Sequence, residues 1–417
     1  YQSVALPYVG VAISGGLAFC PMFPERQEAR QQRGRKSQPF LGPSCLFALD
    51  LATGRVVWDT DSTLVDSGGT RVPLPEYLKL DTSDYCFGGP PVVRGDRVYA
   101  PIMASPQTGR HCWVLCLDAQ SGQPVWCTDV GTAPQTRDMS VALLAEEEGT
   151  VVISTNFGVV AALDSASGAI EWLVKYMNSN RSMRTIKGPA SPPVIVGSLV
   201  YVLTQDYDEL LAFDRWTGLE AALPQPKRSI PWGKIVHFLG RADEWLVFSG
   251  PKNVALRPLD GEVVELPDSE SGRLGRGTIS GSRLYLPTVQ DLSIFDTRTW
   301  KPLASLRWPE ARSAAGNALV AGPLLIHMSD RLDLYTSLEL LKTRFSLQDG
   351  GGPSKPQENR QLARIFEGAG MLKESVPFYR RALHLWEKDP AWQETAEGLR
   401  KKLSDLEEKL GADFPKE

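Results

Sequence analysis

The sequence predicts an all-β propeller followed by a small all-α tail, and three observations carry that reading. A hairpin motif recurs without gaps, a shorter strand pair recurs upstream of each copy, and after Gln348 the apolar period changes from that of strands to that of helices.

The hairpin motif reads LFALDLATGRVVW, VLCLDAQSGQPVW and VAALDSASGAIEW. Each copy places Asp four residues before Gly and Gly four before Trp, giving Asp50, Gly54 and Trp58, then Asp118, Gly122 and Trp126, then Asp164, Gly168 and Trp172. A fourth copy, LLAFDRWTGLEAAL, keeps Asp214 and Gly218 and loses the indole. Later copies are weaker: VALRPLDGEVVEL around Asp260, LSIFDTRTWKPLASL around Asp296, and LDLYTSLELLKTRFSL with Thr336 at the Asp position. The spacing has a mechanical cause. Asp at a strand end accepts bonds from backbone N–H groups of the turn, Gly supplies the positive φ that closes it, and Trp on the following strand offers a large face to a neighbouring sheet. These are structural positions without a chemical task.

The upstream strand pair appears as GVAISGGLAFCPMF, PPVVRGDRVYAPIM, GTVVISTNF, PPVIVGSLVYVLT, GTISGSRLYLPT and NALVAGPLLIHMS. Pair plus hairpin makes one four-stranded antiparallel blade. Seven such blades fit, at an average of about 50 residues, and eight is the competing count.

The third observation is the tail. DGGGPSKPQ breaks strand structure and reads as a flexible linker over 350–357. From Leu362, LARIFEGAGMLKESVPFYRRALHLWEKDP spaces its apolar residues helically, with Gly370 at a break between two helices. Residues 391–410 add a charged amphipathic helix that caps the pair. The expected domains are therefore 1–349, the linker 350–357, and the helices in 358–417.

Composition removes several function classes. In 417 residues, 23% charged and 42% apolar with 37 Gly and 31 Pro, the profile is that of a turn-rich globular chain. No apolar run is long enough to span a bilayer. A net charge of −4 supplies no general attraction for nucleic acid, and the basic stretch from Arg26 to Lys36, interrupted by Glu28, reads as a solvated loop. The six cysteines, Cys20, Cys45, Cys86, Cys112, Cys116 and Cys127, include no CxxC pair, so they suggest no metal site. Cys112 and Cys116, four residues apart along a strand, are about 13 Å apart and cannot be bonded to each other. The chain begins at Tyr1, as a mature form or a piece of a longer protein would.

The apolar pair, Gly turn, Ala-Leu-Asp strand end, Thr/Ser-Gly and Trp resemble the PQQ-like repeat, a family that includes quinoprotein dehydrogenases and BamB-type outer-membrane assembly lipoproteins. The resemblance covers residues 1–349 and is most specific in the first four units. It aligns Ala48, Cys116, Ala162 and Ala212 at one small position, which makes Cys116 a packing residue. The tail resembles one tetratricopeptide unit through Leu362, Phe366, Gly370, Glu374, Tyr379, Ala382 and Leu383, with Ser375 where Ala is usual and Pro390 about three residues late.

Three functions remain to be weighed. Quinone-dependent enzymes of this family carry a vicinal disulfide, a calcium ion held by carboxylate and amide oxygens, and a catalytic Asp. Here no two cysteines are adjacent and no ligand set is recognisable, so neither a cofactor nor a metal nor a catalytic residue is expected. The four histidines, His111, His237, His327 and His384, fall in different units, and no GxSxG elbow occurs. Glycan or small-ligand binding in a central channel is compatible with the many tryptophans. The reading adopted is a non-catalytic protein–protein interaction scaffold, because the long insertions Phe23–Ser44, Asp59–Phe87 and Lys175–Ala190 all emerge on one face of such blades. In the third insertion Tyr176, Met177, Arg181, Arg184 and Lys187 are a mixture suited to an acidic or extended peptide, with an ordinary solvated loop as the competing reading. The resemblance implies export to the periplasm or another extracytoplasmic space, with the cytoplasm left open by the unpaired cysteines.

Overall fold

A computed structural model of the chain describes residues 10–22, 44–51, 53–65, 68–79, 85–104, 109–133, 141–176, 190–204, 207, 209–230, 232, 235–267, 275–308, 314–321, 324–329, 332–336, 355–368, 371–387 and 393–410. Contacts divide it into two units, Tyr1–Leu319 with Met328–Arg331, and Val320–His327 with Leu332–Glu417.

The first unit is a succession of small antiparallel sheets. The first contains β1 (Ala12–Ser14), β2 (Leu17–Met22), β3 (Cys45–Asp50) and β4 (Val56–Asp59) in sequence order. The second contains β5 (Tyr85–Phe87), β6 (Val92–Arg94), β7 (Arg97–Ala104), β8 (Arg110–Asp118) and β9 (Pro124–Ala133). Because β7 is long, its edge takes both β6 and β5 end to end, and this sheet has five strands where four are expected. The third is β10 (Leu143–Glu147), β11 (Thr150–Ser154), β12 (Val159–Asp164) and β13 (Ile170–Lys175).

The fourth has three strands, β14 (Val194–Val196), β15 (Leu199–Val202) and β16 (Leu211–Asp214). The chain begins a fourth strand there, with a bridge between Phe213 and Glu220 and an Ala221 N–H to Ala212 carbonyl bond of 2.9 Å, and then leaves the edge. The fifth is β17 (His237–Ala242), β18 (Trp245–Ser249), β19 (Asn253–Arg257) and β20 (Glu262–Leu266). The sixth is β21 (Thr278–Ser280), β22 (Arg283–Pro287), β23 (Asp291–Asp296) and β24 (Pro302–Arg307). A seventh sheet among the described residues has three strands, β25 (Asn317–Ala321), β26 (Leu324–Met328) and β27 (Leu332–Thr336).

In the first unit the leading strand of each sheet lies beside the leading strand of the next, from β1 through β6, β10, β14 and β17 to β21. The core is therefore not one block; it sits in the seams between successive sheets. This explains the composition of the strands. The second and third strands of a sheet are covered on both faces, so β11 (TVVIS) and β18 (WLVFS) are buried throughout and read as continuous apolar runs. The outermost strand is covered on one side only, and in β13 (IEWLVK) the buried residue is the indole.

The hairpin motif builds each of the first three seams in the same way. Asp50, Asp118, Asp164 and Asp214 accept N–H and hydroxyl bonds from the Thr or Ser three residues on, at 2.6 to 2.9 Å. These bonds hold Asp118, Asp164 and Asp214 below the usual carboxylate range. Trp58, Trp126 and Trp172 cross to the following sheet, where their Nε1 atoms donate to the carbonyls of Ala119, Ser165 and Arg215 at 3.0, 3.1 and 2.6 Å.

Arg215 completes the third seam from the opposite direction. It is 3% exposed. Its guanidinium reaches back to the β10–β11 turn, donating to Thr150 Oγ1 at 3.3 Å, to Glu148 Oε2 and the Glu148 carbonyl at 3.2 Å each, and to the Glu147 carbonyl. Arg215→Met keeps the apolar stem and strands those acceptors, and is expected to lower stability by about 1–3 kcal/mol. Arg215→Lys, with one nitrogen for a fork of three, is expected to recover little of it in urea denaturation.

The later motifs depart from the pattern. In the fifth sheet Arg257, not Asp260, stands at the position of the motif Asp, since Gly261 N–H bonds to the Arg257 carbonyl at 2.9 Å. Asp260 instead pairs with the Arg257 guanidinium at 2.9 Å, and that pairing holds its carboxyl well below the usual range. In the sixth, Trp300 occupies the motif Gly position with φ of 56°, a left-handed conformation that costs a non-glycine residue about 1–2 kcal/mol.

The second unit contains, besides β27 and most of β26, three helices, α3 (Pro356–Gly368), α4 (Leu372–Trp386) and α5 (Gln393–Leu410). Proline at the first helical position has no N–H to leave unpaired. Ala363, Val376, Tyr379, Ala382, Trp386, Leu399 and Leu403 form its core. Tyr379 Oη donates to Glu367 Oε2 at 2.6 Å and Lys402 Nζ lies 2.9 Å from the same oxygen.

Candidate functional site

An antiparallel meander sorts its connections by the end of the sheet they leave. Links between strands one and two, and between three and four, leave one end of every sheet; links between two and three, and from four to the next sheet, leave the other. Here the first set is uniformly short, as in Ser14–Leu17, Arg94–Arg97, Glu147–Thr150 and Ala242–Trp245. The insertions all lie in the second set, so one end of the sheets carries the variable surface.

Of the three insertions, the one between β4 and β5 is the most fully described, and it is folded. Asp59 caps the short helix α1 (Thr60–Thr63) by accepting the Ser62 N–H at 2.9 Å. Thr60 Oγ1 accepts the Leu46 N–H at 3.1 Å and lies 3.2 Å from Cys45 Sγ. A second turn, α2 (Leu74–Tyr77), follows Pro73. Leu64 and Leu74 are fully buried in the seam of the first two sheets and pin the segment at two points. On its return, Phe87 N–H donates to Ser44 Oγ at 2.7 Å. Nothing in the local pattern of DSTLVDSGGTRVPLPEYL signals this anchoring, since two leucines among polar residues look like ordinary loop content.

The insertion from 23 to 43 lies outside the described residues, as do Met177, Arg181, Arg184 and Lys187. Tyr176 is described, and it is not a surface residue: it is 7% exposed. Its N–H donates to the Gly158 carbonyl at 3.1 Å and its ring meets Tyr207 edge-on, centroids 6.3 Å apart. Tyr207, on the β15–β16 connection, was not singled out by the sequence reading, because its role is defined by a neighbour in another sheet.

The reactive groups are placed as follows. All six cysteines are free thiols, and Cys112 and Cys116 share the single strand β8. Burial pushes Cys45 and Cys86 up to about 11 and Cys116 and Cys127 up to about 12, so they are held as thiols at neutral pH. Cys116 is fully buried in the seam of the second and third sheets. His111 stacks on Trp113 with centroids 5.2 Å apart, His237 and His327 are buried, and His384 lies exposed on α4. Among the described residues no group of three His, Cys, Asp or Glu is placed to hold a metal ion, and no helix is long and apolar enough to cross a membrane. Among the described residues, this end of the sheets therefore offers shape: one insertion held against the seam of the first two sheets by Leu64 and Leu74, and Tyr176 at the start of another.

Comparison with known proteins agrees with the sheet array. The family model described as outer membrane protein assembly factor BamB matches residues 110–273, which hold the last two strands of the second sheet and all of the third, fourth and fifth. The outer membrane protein assembly factor BamB of Yersinia pestis is 26% identical over 153 residues, which is 37% of this chain and 32% of that protein. The chain thus spans about a third of the curated relative it matches. Among solved structures, the computationally designed Ika8 protein has a TM-score of 0.53 at 12% identity, over 79% of this chain and 83% of that one, and shares the fold. BamB from Moraxella catarrhalis has a TM-score of 0.49 at 19% identity, over 79% and 84% of the two chains.

Proposed function

We propose that the first unit, a PQQ-like β-propeller, is a non-catalytic scaffold that binds other proteins through the end of its sheets that carries the long connections. The observation that supports this is the asymmetry of those connections: among the described strands the long insertions all leave one end, whereas the links at the other end are all short. Seven blades over 1–349, a linker at 350–357 and a tetratricopeptide-like hairpin with its cap in 358–417 complete the reading, with the helical tail as a second point of contact. Tyr176 anchors the base of the third insertion, and Met177, Arg181, Arg184 and Lys187 present three cationic groups and a soft apolar one to an acidic or extended segment. The relatives named as outer membrane protein assembly factors suggest an extracytoplasmic location and partners in that machinery.

The test replaces 177–188 by a Gly/Ser linker of equal length and leaves Tyr176 in place. Pull-down from cell-envelope extract with the intact chain is expected to enrich proteins of outer-membrane assembly, and the replaced chain, melting at the same temperature, is expected to lose them. Equal recovery of every partner defeats the proposal for that loop.

A further inference from the structure

The seam between the fifth and sixth sheets is built differently from the first three. The residue opposite Ala255, where the first three sheets carry the indole, is Val264, so no indole crosses forward. Trp300 crosses backward instead and packs edge-on against Trp245, centroids 5.6 Å apart. Its Nε1 is buried without a hydrogen-bond partner among the described residues, whereas the indoles of the first three seams each donate to a carbonyl of the following sheet. Where Trp300 meets Trp245 the contact is one of packing.

His237 opens β17 in this seam and is 7% exposed. Its Nδ1 is buried without a partner among the described residues, and so is Oγ of Ser249, its cross-strand neighbour. The strands packed on β17 are β14, β18 and β21, and their sequences VIV, WLVFS and TIS contain no ionisable side chain. Among the described residues, the charged group that acts on the imidazole is Arg276, just before β21, whose backbone is tied to Gly316 and Ala318 by bonds of 3.1 and 2.9 Å. Arg241, on β17 itself, lies at the strand's far end and is exposed. A proton arriving on His237 would be buried beside a guanidinium, and none of these strands carries a carboxylate to receive it.

We infer that this seam is an acid-sensitive joint, at which protonation of His237 separates β17 from β21 and opens the fifth and sixth sheets while the first three stay closed. Burial first, and Arg276 second, push the imidazole down from 6.5 to about 4. The closed form therefore holds His237 neutral while the open form takes a proton at the ordinary value. The contribution to closure is complete above pH 6.5 and is lost progressively as pH falls from there toward 4. At pH 5 the open population rises about thirtyfold over its neutral value.

Amide hydrogen exchange of the whole chain at pH 7.5 and 5.0, each corrected for intrinsic exchange, tests this. Peptides covering β17–β24 are expected to lose about thirtyfold in protection at pH 5.0, and peptides covering β7–β13 to keep theirs. His237→Gln, neutral at both values, is expected to remove the difference. Arg276→Gln, which relieves the imidazole of its charged neighbour, is expected to shrink it. Unchanged protection in the native chain, a uniform loss across all sheets, or an undiminished pH response in either variant overturns the joint.

Discussion

Trp172→Ala is expected to destabilise the first unit by about 3–5 kcal/mol, the range for removing a buried indole from a packed seam. Trp172 is 6% exposed, and its ring lies against Phe213 of the next sheet, centroids 6.0 Å apart and planes tilted by 38°. The Nε1 bond to the Arg215 carbonyl, at 2.6 Å, is lost with it, leaving a buried acceptor unpaired. Trp172→Phe keeps much of the area and forfeits the bond, so it is expected to cost about half as much. Trp216, in the turn that follows β16, is 61% exposed, and Trp216→Ala is expected to stay within about 0.5 kcal/mol. Urea denaturation followed by far-UV circular dichroism measures all three. A loss below about 1 kcal/mol for Trp172→Ala would mean that the seam is held by something other than the crossing indole.

Gly122→Ala is expected to cost about 2–4 kcal/mol, well above what a turn glycine costs for its backbone alone. At φ of 70° any side chain is strained, and an added Cβ would stand 2.6 Å from the indole of Trp58. Gly54 isolates the first of these effects, because it has the same φ of 70° and nothing within 4 Å of the added atom. Gly54→Ala is therefore expected to cost about 1 kcal/mol. Removing the ring removes the clash, so in a Trp58→Ala background the cost of Gly122→Ala is expected to fall to that of Gly54→Ala. The double-mutant cycle then reads a coupling of about 1–3 kcal/mol between two residues in different sheets. Additivity within about 0.3 kcal/mol would show that the glycine serves its turn and not the seam.

These two experiments bear on how the chain encodes its fold. The periodic positions Asp50, Gly54 and Trp58, and their copies, are legible because a turn repeats its dihedral demands in every sheet. The second duty of Gly122, Gly168 and Gly218, leaving room for the preceding indole, is invisible locally. In each case the added Cβ would lie 2.5 to 2.7 Å from a Trp that is 42 to 64 residues earlier. The same limit explains the weaker copies. Arg257 at an Asp position and Trp300 at a Gly position break the motif, and each is accommodated by a neighbour, Asp260 for the first and Trp245 for the second.

The candidate surface divides in the same way. Loop length along a meander suffices to place the insertions at one end. That Tyr176 turns inward onto Tyr207, or that Leu64 and Leu74 staple a polar-looking segment to the core, depends on which sheet stands beside it.

From sequence alone came the strand hairpins, their turn chemistry, the thiols' inability to pair along β8, and the change to helices in the C-terminal region, all of which depend on residues within about a dozen positions of one another. The tertiary structure decided how the seams are tied: indole to carbonyl in the first three, Arg215 back to the β10–β11 turn, and Trp300 Nε1 and His237 Nδ1 buried without a partner among the described residues. The physical reason is that a hairpin satisfies its own backbone, whereas a side chain's burial and partners belong to whichever sheet the chain lays against it.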